Sequence, residues 1–184
     1  MYIPTRTIYI GSAEHSISEG ESGVDGKLAE RAIKALHILD LSAPTGDQPI
    51  SIILNNPGGD TIHGMSIYDS IRMCKNHITV RVQGYGMSIA AWILQAADHR
   101  VMTKHSRLML HAGTYSLPDN HPETNRRWSD YMIKDEEIFE TIILEKIRVK
   151  HPEYTKKQVK SLLRFDTILM PEAALELGLV DEIV

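Results

Sequence analysis

Ser88 is the residue of this sequence whose surroundings most favour nucleophilic chemistry. It stands in the run GYGMSIAA at 84–91, between a strand-like apolar run and a run of small residues typical of a helix. Gly84 and Gly86 allow the backbone to turn sharply. The start of a helix offers unpaired N–H groups and a positive dipole end, which stabilise developing negative charge. The pattern is not the strict GxSxG elbow, so a serine that only caps the helix stays open.

Acyl transfer through a serine also needs a base within hydrogen-bond reach and a group that orients that base. His111 is the best candidate for the base among nine histidines, because it ends an apolar strand and two small residues follow it. Asp166 is the candidate for the orienting group. Considered alone, a histidine at a strand end and an aspartate after a helix are more often structural.

An oxyanion needs N–H donors that no side chain obstructs. Gly58 and Gly59 offer such backbone groups, and Ile89 offers the N–H that follows the serine. A plain tight turn is the alternative explanation of the double glycine. Gly58, Met87 and Met170 are the candidate substrate contacts, whereas most of the other methionines are expected to fill the core.

Metal and cofactor chemistry find no support in the sequence. His99 and His105 are six positions apart, and no cluster of histidine, cysteine or carboxylate has the spacing of a metal site. The glycines at 84 and 86 do not extend to a dinucleotide-binding motif, because Ile89 stands where the third glycine would be. The sequence therefore predicts no metal and no cofactor.

Composition narrows the class of protein. A chain of 184 residues, 42% hydrophobic and 24% charged, is predicted to form a single domain over 1–184. A formal net charge of −4 gives no basic field for nucleic acid. No apolar run is long enough to span a membrane, and no signal peptide is recognisable. With Cys74 as the only cysteine, a cytoplasmic protein is expected.

The elements around Ser88 repeat a pattern of strand, glycine turn and helix. Apolar runs at 50–54 and 78–83 each lead through glycines into a helical pattern. The first run is typical of a strand covered on both faces, which implies a parallel sheet. Since the C-terminal ends of parallel strands share one edge of a sheet, Gly58-Gly59 and Ser88 are expected to be neighbours.

The rest of the chain continues as α/β structure, with a long helix expected to protrude and contact another subunit. The predicted strands are 6–10, 50–54, 78–83, 100–103, 107–111 and 167–169. The predicted helices are 27–41 with Asp25 as cap, one after Asp60, 88–97, 125–150, one from a Thr155/Gln158 capping box to Leu163, and one from Pro171 to Gly178. The predicted apolar stripes are Ile62, Met65, Tyr68 and Ile71 on the second helix and Trp128, Met132, Ile138, Ile142 and Ile147 on the long one.

Five runs together resemble the ClpP-type proteolytic subunits of the Clp protease, in that family's order and over most of the chain. On this resemblance Ser88 corresponds to the nucleophile, His111 to the base and Asp166 to the third member of the triad. Gly59 and Ile89 correspond to the oxyanion donors. The runs are ISIILNNPGG (50–59), GMSIYDSI (64–71), GYGMSIAA (84–91), SRLMLHAG (106–113) and PEAALELGLVDEIV (171–184).

The resemblance implies a crotonase-like α/β fold with a long protruding handle helix. It also implies a serine endopeptidase that cleaves unfolded proteins or short peptides through an acyl-enzyme inside an oligomeric chamber. The expected assembly is a homo-oligomer, a heptameric ring or a tetradecamer of two rings. An AAA+ unfoldase is the expected ATP-using partner, since the peptidase subunit itself does not use ATP.

This sequence departs from the family's pattern at several places. Only five residues precede Arg6, so axial loops are expected to be short and docking of an ATPase is in doubt. The segment 12–27 is longer than the family's. The glycine-rich handle strand is replaced by the sequence at 113–127, so stacking of rings is expected to use other contacts. Phe165 precedes Asp166 where many members have an arginine.

Other functions stay open from the sequence alone. A non-catalytic ring subunit or scaffold would explain the changed handle and Phe165. An acyl-CoA enzyme of the crotonase type would use the paired N–H groups without Ser88. Lys75 and Lys104 leave open a serine protease with a lysine base.

Overall fold

The computed structural model describes residues 5–11, 23–113 and 121–184. Within these residues the chain forms seven strands and six helices in mixed order. The strands are β1 (Thr7–Gly11), β2 (Ile50–Asn56), β3 (Ile78–Met87), β4 (His99–Met102), β5 (Arg107–Leu110), β6 (Thr167–Leu169) and β7 (Glu182–Ile183). The helices are α1 (Gly26–Leu41), α2 (Thr61–Met73), α3 (Ile89–Gln95), α4 (Pro122–Arg148), α5 (Lys156–Leu163) and α6 (Pro171–Glu176).

Strands β1, β2, β3, β4 and β7 form a parallel sheet in that order, as the apolar run at 50–54 predicts. Coverage of both faces is a wrong prediction for the single chain. Ile50, Ile52 and Leu54 are fully buried, but Ser51 between them is exposed. The helices cover one face only, and the other face forms an open cavity of about 580 Å³ lined by residues of all five strands.

Strand β3 does not end at its glycines, which corrects the prediction of a glycine turn before Ser88. The strand runs on to Met87 and changes partner, because its first half pairs with β4 and its last three residues pair with β5. The change occurs at Gly84, whose φ is 100°. A Cβ there would lie 2.4 Å from Asn55 Oδ1, so only glycine fits. The bend carries Ser88 towards β5.

Strand β6 returns antiparallel along β5 and brings the C-terminal part of the chain to the same edge. Helix α5 precedes it and begins with the predicted capping box of Thr155 and Gln158. Helix α6 follows it and begins at Pro171, as predicted. Asp25 caps α1 by accepting a hydrogen bond from the Leu28 N–H at 2.7 Å.

Helix α4 is a long handle whose first part lies away from the core. No residue from Pro122 to Ile138 is buried, whereas Phe139, Glu140, Ile143 and Ile147 are. Of the predicted stripe, Ile147 is buried, whereas Trp128 and Ile138 are exposed, as expected for a helix that protrudes. The spacing of apolar residues does not distinguish a helix face that packs against the rest of the chain from one that is exposed.

The buried face of helix α2 also differs from its predicted apolar stripe. Ile71 is buried as predicted, but Ile62 is exposed and Ile67 is buried in its place. The reason is that α2 packs against both α1 and α3, so its buried face differs slightly from the most regular apolar stripe.

Three predictions fall outside the described residues. The axial loop prediction falls on residues that include 1–4, most of the inserted segment lies in 12–22, and much of the altered handle region lies in 114–120. Among the described residues, the structure contains no helix long and apolar enough to cross a membrane.

Candidate active site

Ser88 joins β3 to α3 in a conformation that a non-glycine residue rarely adopts. Its φ is 52° and its ψ is −135°, and its side chain makes no capping hydrogen bond to α3. The Ser88 N–H donates to Met109 O at 3.0 Å, so pairing with β5 holds the residue in place. Such a conformation costs about 1–3 kcal/mol and persists only where the surrounding structure imposes it. Ser88 is therefore not an ordinary helix cap.

His111 follows β5 and reaches the serine hydroxyl. Met109 lies opposite Met87 in the parallel pairing of β5 with β3, which places the residues after both strands side by side. His111 Nε2 lies 2.8 Å from Ser88 Oγ. The next peptide is anchored as well, because the Ala112 N–H donates to Leu163 O at 2.6 Å. The 2.8 Å between His111 Nε2 and Ser88 Oγ fits a base that removes the serine proton.

Asp166 lies on the far side of the imidazole. Leu110 is opposite Thr167 in the antiparallel pairing of β5 with β6, so one step further along the ladder sets His111 opposite Asp166. Asp166 Oδ1 lies 3.2 Å from His111 Nδ1. With the proton on Nδ1, the imidazole donates to the carboxylate and accepts the serine proton at Nε2. The Asp166 side chain is 71% exposed, whereas that of His111 is 21% exposed.

The double glycine lies directly against the serine. Gly58 has a φ of 103° and Gly59 a φ of 143°. A Cβ on Gly58 would lie 2.5 Å from Ser88 Cβ and 3.1 Å from Ser88 Oγ, so a side chain there would collide with Ser88. The expected proximity of the two turns is thus present in the structure.

Ile89 is the first residue of α3, and the N–H of a first-turn residue has no acceptor within its own helix. Ile89 is 2% exposed and packs against Gly64 of α2. A Cβ on Gly64 would lie 2.2 Å from Ile89 Cγ1, so the absence of a side chain at 64 sets how closely α2 approaches the first turn of α3.

Of the predicted substrate contacts, Gly58 and Met87 lie beside Ser88. Met170 follows β6 as the cap residue of α6 and is 44% exposed. Their contact with substrate stays a prediction. Lys75 precedes β3, whereas Ser88 follows it, so the length of a ten-residue strand separates the two. The hydroxyl of Ser88 is paired instead with His111.

A buried polar network supports α3 from behind. Arg100 donates to Gln95 Oε1 at 2.8 Å and to both oxygens of Asp181 at 2.6–3.0 Å, and Gln95 donates to Leu179 O at 3.2 Å. Burial alone would raise the pKa of Asp181, but the hydrogen bonds and charge of Arg100 outweigh it and hold that pKa below its ordinary value. The network ties the last turn of α3 to the C-terminal segment.

Reasoning from sequence missed three residues near the site: Val24, Asn56 and Gly64. Asn56 is fully buried and accepts from the Gly58 N–H at 2.8 Å. The period of two along β2 could have identified it, because Asn56 shares the face of Ile50, Ile52 and Leu54, whereas Asn55 shares that of Ser51. In the part of the chain that the structure describes, no group of three or more histidine, cysteine or carboxylate side chains is placed to hold a metal ion.

Comparison with known sequences gives one consistent result. A sequence model of the family described as Clp protease matches residues 12–184. A relative from Deinococcus radiodurans, named ATP-dependent Clp protease proteolytic subunit, is 27% identical over 163 residues, which is 88% of this chain and 76% of the relative. A relative from Rhodococcus jostii, named subunit 4 of the same protease, is 32% identical over 150 residues, 80% of this chain and 74% of the relative.

Comparison with solved structures agrees. A ClpP1 mutant from Listeria monocytogenes superposes with a TM-score of 0.78 at 26% sequence identity, over 99% of this chain and 92% of that one. The fold is therefore the crotonase-like α/β fold, and the prediction of fold class is confirmed.

Proposed function

The chain belongs to the Clp protease family, and on that premise we propose that it is a serine endopeptidase that cleaves unfolded proteins or short peptides. The observation that carries the proposal is the continuous relay from Ser88 Oγ through His111 to Asp166, with distances of 2.8 Å and 3.2 Å. The strained backbone of Ser88, which serves no capping purpose, supports the same role.

In the proposed reaction His111 Nε2 takes the proton as Ser88 Oγ attacks the scissile carbonyl. The Gly59 and Ile89 N–H groups stabilise the tetrahedral oxyanion. The imidazolium, held by Asp166, returns the proton to the leaving amine, which departs as the acyl-enzyme forms. His111 then activates a water that hydrolyses the ester and restores the serine.

The substrate is proposed to bind as an extended strand, because main-chain hydrogen bonds do not depend on the side chains of the peptide. Strand β6 supports this view, since among the described strands it pairs only with β5. Ile168 of β6 is 60% exposed beside that open edge. Gly58, Met87 and Met170 would then contact residues next to the cleaved bond.

The proposal extends to assembly and location. The exposed first part of α4 supports contacts with other copies of the chain, and family membership supports a ring of seven, single or stacked as a tetradecamer. The names of the two relatives support an AAA+ ATPase as the partner that delivers unfolded substrate. A cytoplasmic location is part of the same proposal.

The experiment uses the purified protein with fluorogenic peptides and a fluorophosphonate probe. The Ser88→Ala variant should lose roughly 10⁴-fold or more in kcat, and the probe should label wild-type protein on the peptide that contains Ser88. The control is Ser51→Ala, the same change on an exposed strand residue. Equal turnover by Ser88→Ala and wild-type protein would contradict the proposal.

The exposure of Asp166 favours a second candidate, a ring subunit without catalytic activity. In that case native mass spectrometry would show a ring, while the wild-type protein would neither turn over peptides nor react with the probe. An assembled ring labelled at Ser88 would exclude it.

A further inference from the structure

Val24 lies beside the double glycine. It forms an isolated parallel bridge with Gly59. Its N–H donates to Gly58 O at 2.5 Å, and its C=O accepts from the Asp60 N–H at 2.8 Å. Val24 is 2% exposed, so water does not compete for these bonds.

The hydrogen bond from the Val24 N–H to Gly58 O also orients the N–H of Gly59, although Gly59 N–H takes no part in that bond. The C=O of Gly58 and the N–H of Gly59 belong to one planar trans peptide, in which they point in opposite directions. An acceptor bond that aims the Gly58 carbonyl at Val24 therefore aims the Gly59 N–H away from Val24. Ser88 lies close to the same peptide, since a Cβ on Gly58 would be 2.5 Å from Ser88 Cβ.

Two consecutive glycines make such a restraint necessary. With φ values of 103° and 143°, both residues occupy conformations that are open to glycine, and a free peptide between two glycines can rotate at little cost. Rotation would turn the N–H donor away and replace it with a carbonyl oxygen, which repels an oxyanion. Loss of one oxyanion donor lowers kcat by roughly 10²- to 10³-fold.

A second restraint acts on the preceding peptide. The Gly58 N–H donates to Asn56 Oδ1 at 2.8 Å, and Asn56 Nδ2 in turn donates to Gly11 O at 2.9 Å. Both peptide groups that flank Gly58 are therefore held, one by a side chain and one by the backbone of Val24.

The fit between the two segments is close enough to exclude a side chain. A Cβ on Gly23 would lie 1.9 Å from Gly58 O and 2.8 Å from Gly58 C. A larger residue at 23 would push on the same carbonyl that Val24 holds. This sensitivity gives a second way to disturb the peptide without touching the catalytic side chains.

We propose that the backbone of Val24 is a positioning element of the oxyanion hole, holding the Gly58–Gly59 peptide in the orientation that presents the Gly59 N–H to the tetrahedral intermediate. The inference rests on the proposed peptidase function. It assigns to the segment before α1 a direct influence on the chemical step rather than on substrate binding.

The test compares Val24→Pro, which removes the N–H donor, with Val24→Ala, which keeps it and loses only packing. Four quantities are measured: kcat and KM for a fluorogenic peptide, the inhibition constant of a peptide boronate that forms a tetrahedral adduct with Ser88, and the melting temperature. The proline variant should lose about 10- to 100-fold in kcat and in boronate affinity, with KM changed less than about threefold. The fold-loss in kcat of the alanine variant should be at least ten times smaller than that of the proline variant, at a similar melting temperature.

Gly23→Ala provides the second variant if the proline variant does not fold, and the same selective loss of kcat and boronate affinity is expected from it. Equal losses in the alanine and proline variants, or wild-type kcat and boronate affinity in whichever of Val24→Pro and Gly23→Ala fold, would overturn the proposal while leaving the peptidase function intact. A wild-type protein that shows neither turnover nor labelling of Ser88 would overturn both.

Discussion

The two ends of the proposed catalytic relay are built in different ways. At the Ser88 end, backbone hydrogen bonds from β5 and close contact with Gly58 define the position of the nucleophile. At the Asp166 end, the carboxylate is 71% exposed and follows Phe165, which is 72% exposed. The first end is surrounded by the chain's own core, and the second faces solvent.

This difference separates what one chain can preorganise from what a neighbour can change. Groups fixed by backbone pairing inside a core keep their geometry without help, which is the condition for strong electrostatic stabilisation of a transition state. An exposed carboxylate is solvated and weakly restrained, so its effect on His111 depends on what covers it. We therefore expect assembly to act on the Asp166 end.

Of three substitutions that test this difference, Gly58→Ala should have the largest effect, because it places a methyl group within 2.5 Å of Ser88 Cβ and requires a φ of 103° from alanine. We expect a loss of at least about 10³-fold in kcat/KM, equivalent to about 4 kcal/mol. Steady-state hydrolysis of a fluorogenic peptide measures it. Gly11→Ala is the matched control, since its nearest contact would be at an ordinary 3.9 Å. A loss below tenfold would show that the nucleophile end is less rigid than described.

Asp181→Asn tests whether the network behind α3 supports the Ser88 end through stability alone. Arg100 would remain buried without its counter-charge, and we expect a loss of about 3 kcal/mol in the free energy of unfolding, at the low end of the range because Asp181 is 33% exposed. Urea unfolding at pH 7 measures it. The pH profile of kcat should not change.

The ion pair of Arg100 with Asp181 also predicts how the stability of the protein changes at low pH. Because the folded-state pKa of Asp181 is lowered from the ordinary 3.8, its stabilisation is fully present above that value and is lost as the pH falls through the lowered one. The difference in unfolding free energy between wild type and Asp181→Asn should therefore shrink below about pH 4. A difference that stays constant down to pH 2 would contradict the assignment.

Expressed in kcal/mol, the effect of Asp166→Asn should be smaller than those of Gly58→Ala and Asp181→Asn, although it alters the proposed triad itself. The amide favours the wrong imidazole tautomer, and a loss near 10⁴-fold is known for a buried aspartate in this role. For a carboxylate that is 71% exposed we expect about 10²-fold in kcat, or about 2.7 kcal/mol. The measurement is made on dissociated and assembled protein. A loss near 10⁴-fold in the assembled form alone would show that a neighbour shields Asp166, and a loss below threefold in both would remove Asp166 from the relay.

Sequence patterns predicted the proximity of Ser88, His111 and Asp166 better than they predicted the packing around them. Ser88, His111 and Asp166 each stand next to a strand end, and strand ends can be read from local apolar runs. The same reading failed at Gly84, where the strand bends and changes partner instead of turning. It did not distinguish the exposed Ile62 and Trp128 from buried residues, because helical spacing does not show which surface covers an apolar residue.

The sequence by itself determined the features that depend on neighbours along the chain: the cap at Asp25, the capping box at Thr155, the helix start at Pro171 and the glycine pair before α2. These follow from hydrogen bonds and steric limits within a few residues. Tertiary structure alone decided the φ of Ser88, the direction of the Gly59 N–H and the exposure of Asp166. Each of these depends on a backbone group or a surface contributed by a distant segment, which no local pattern can specify.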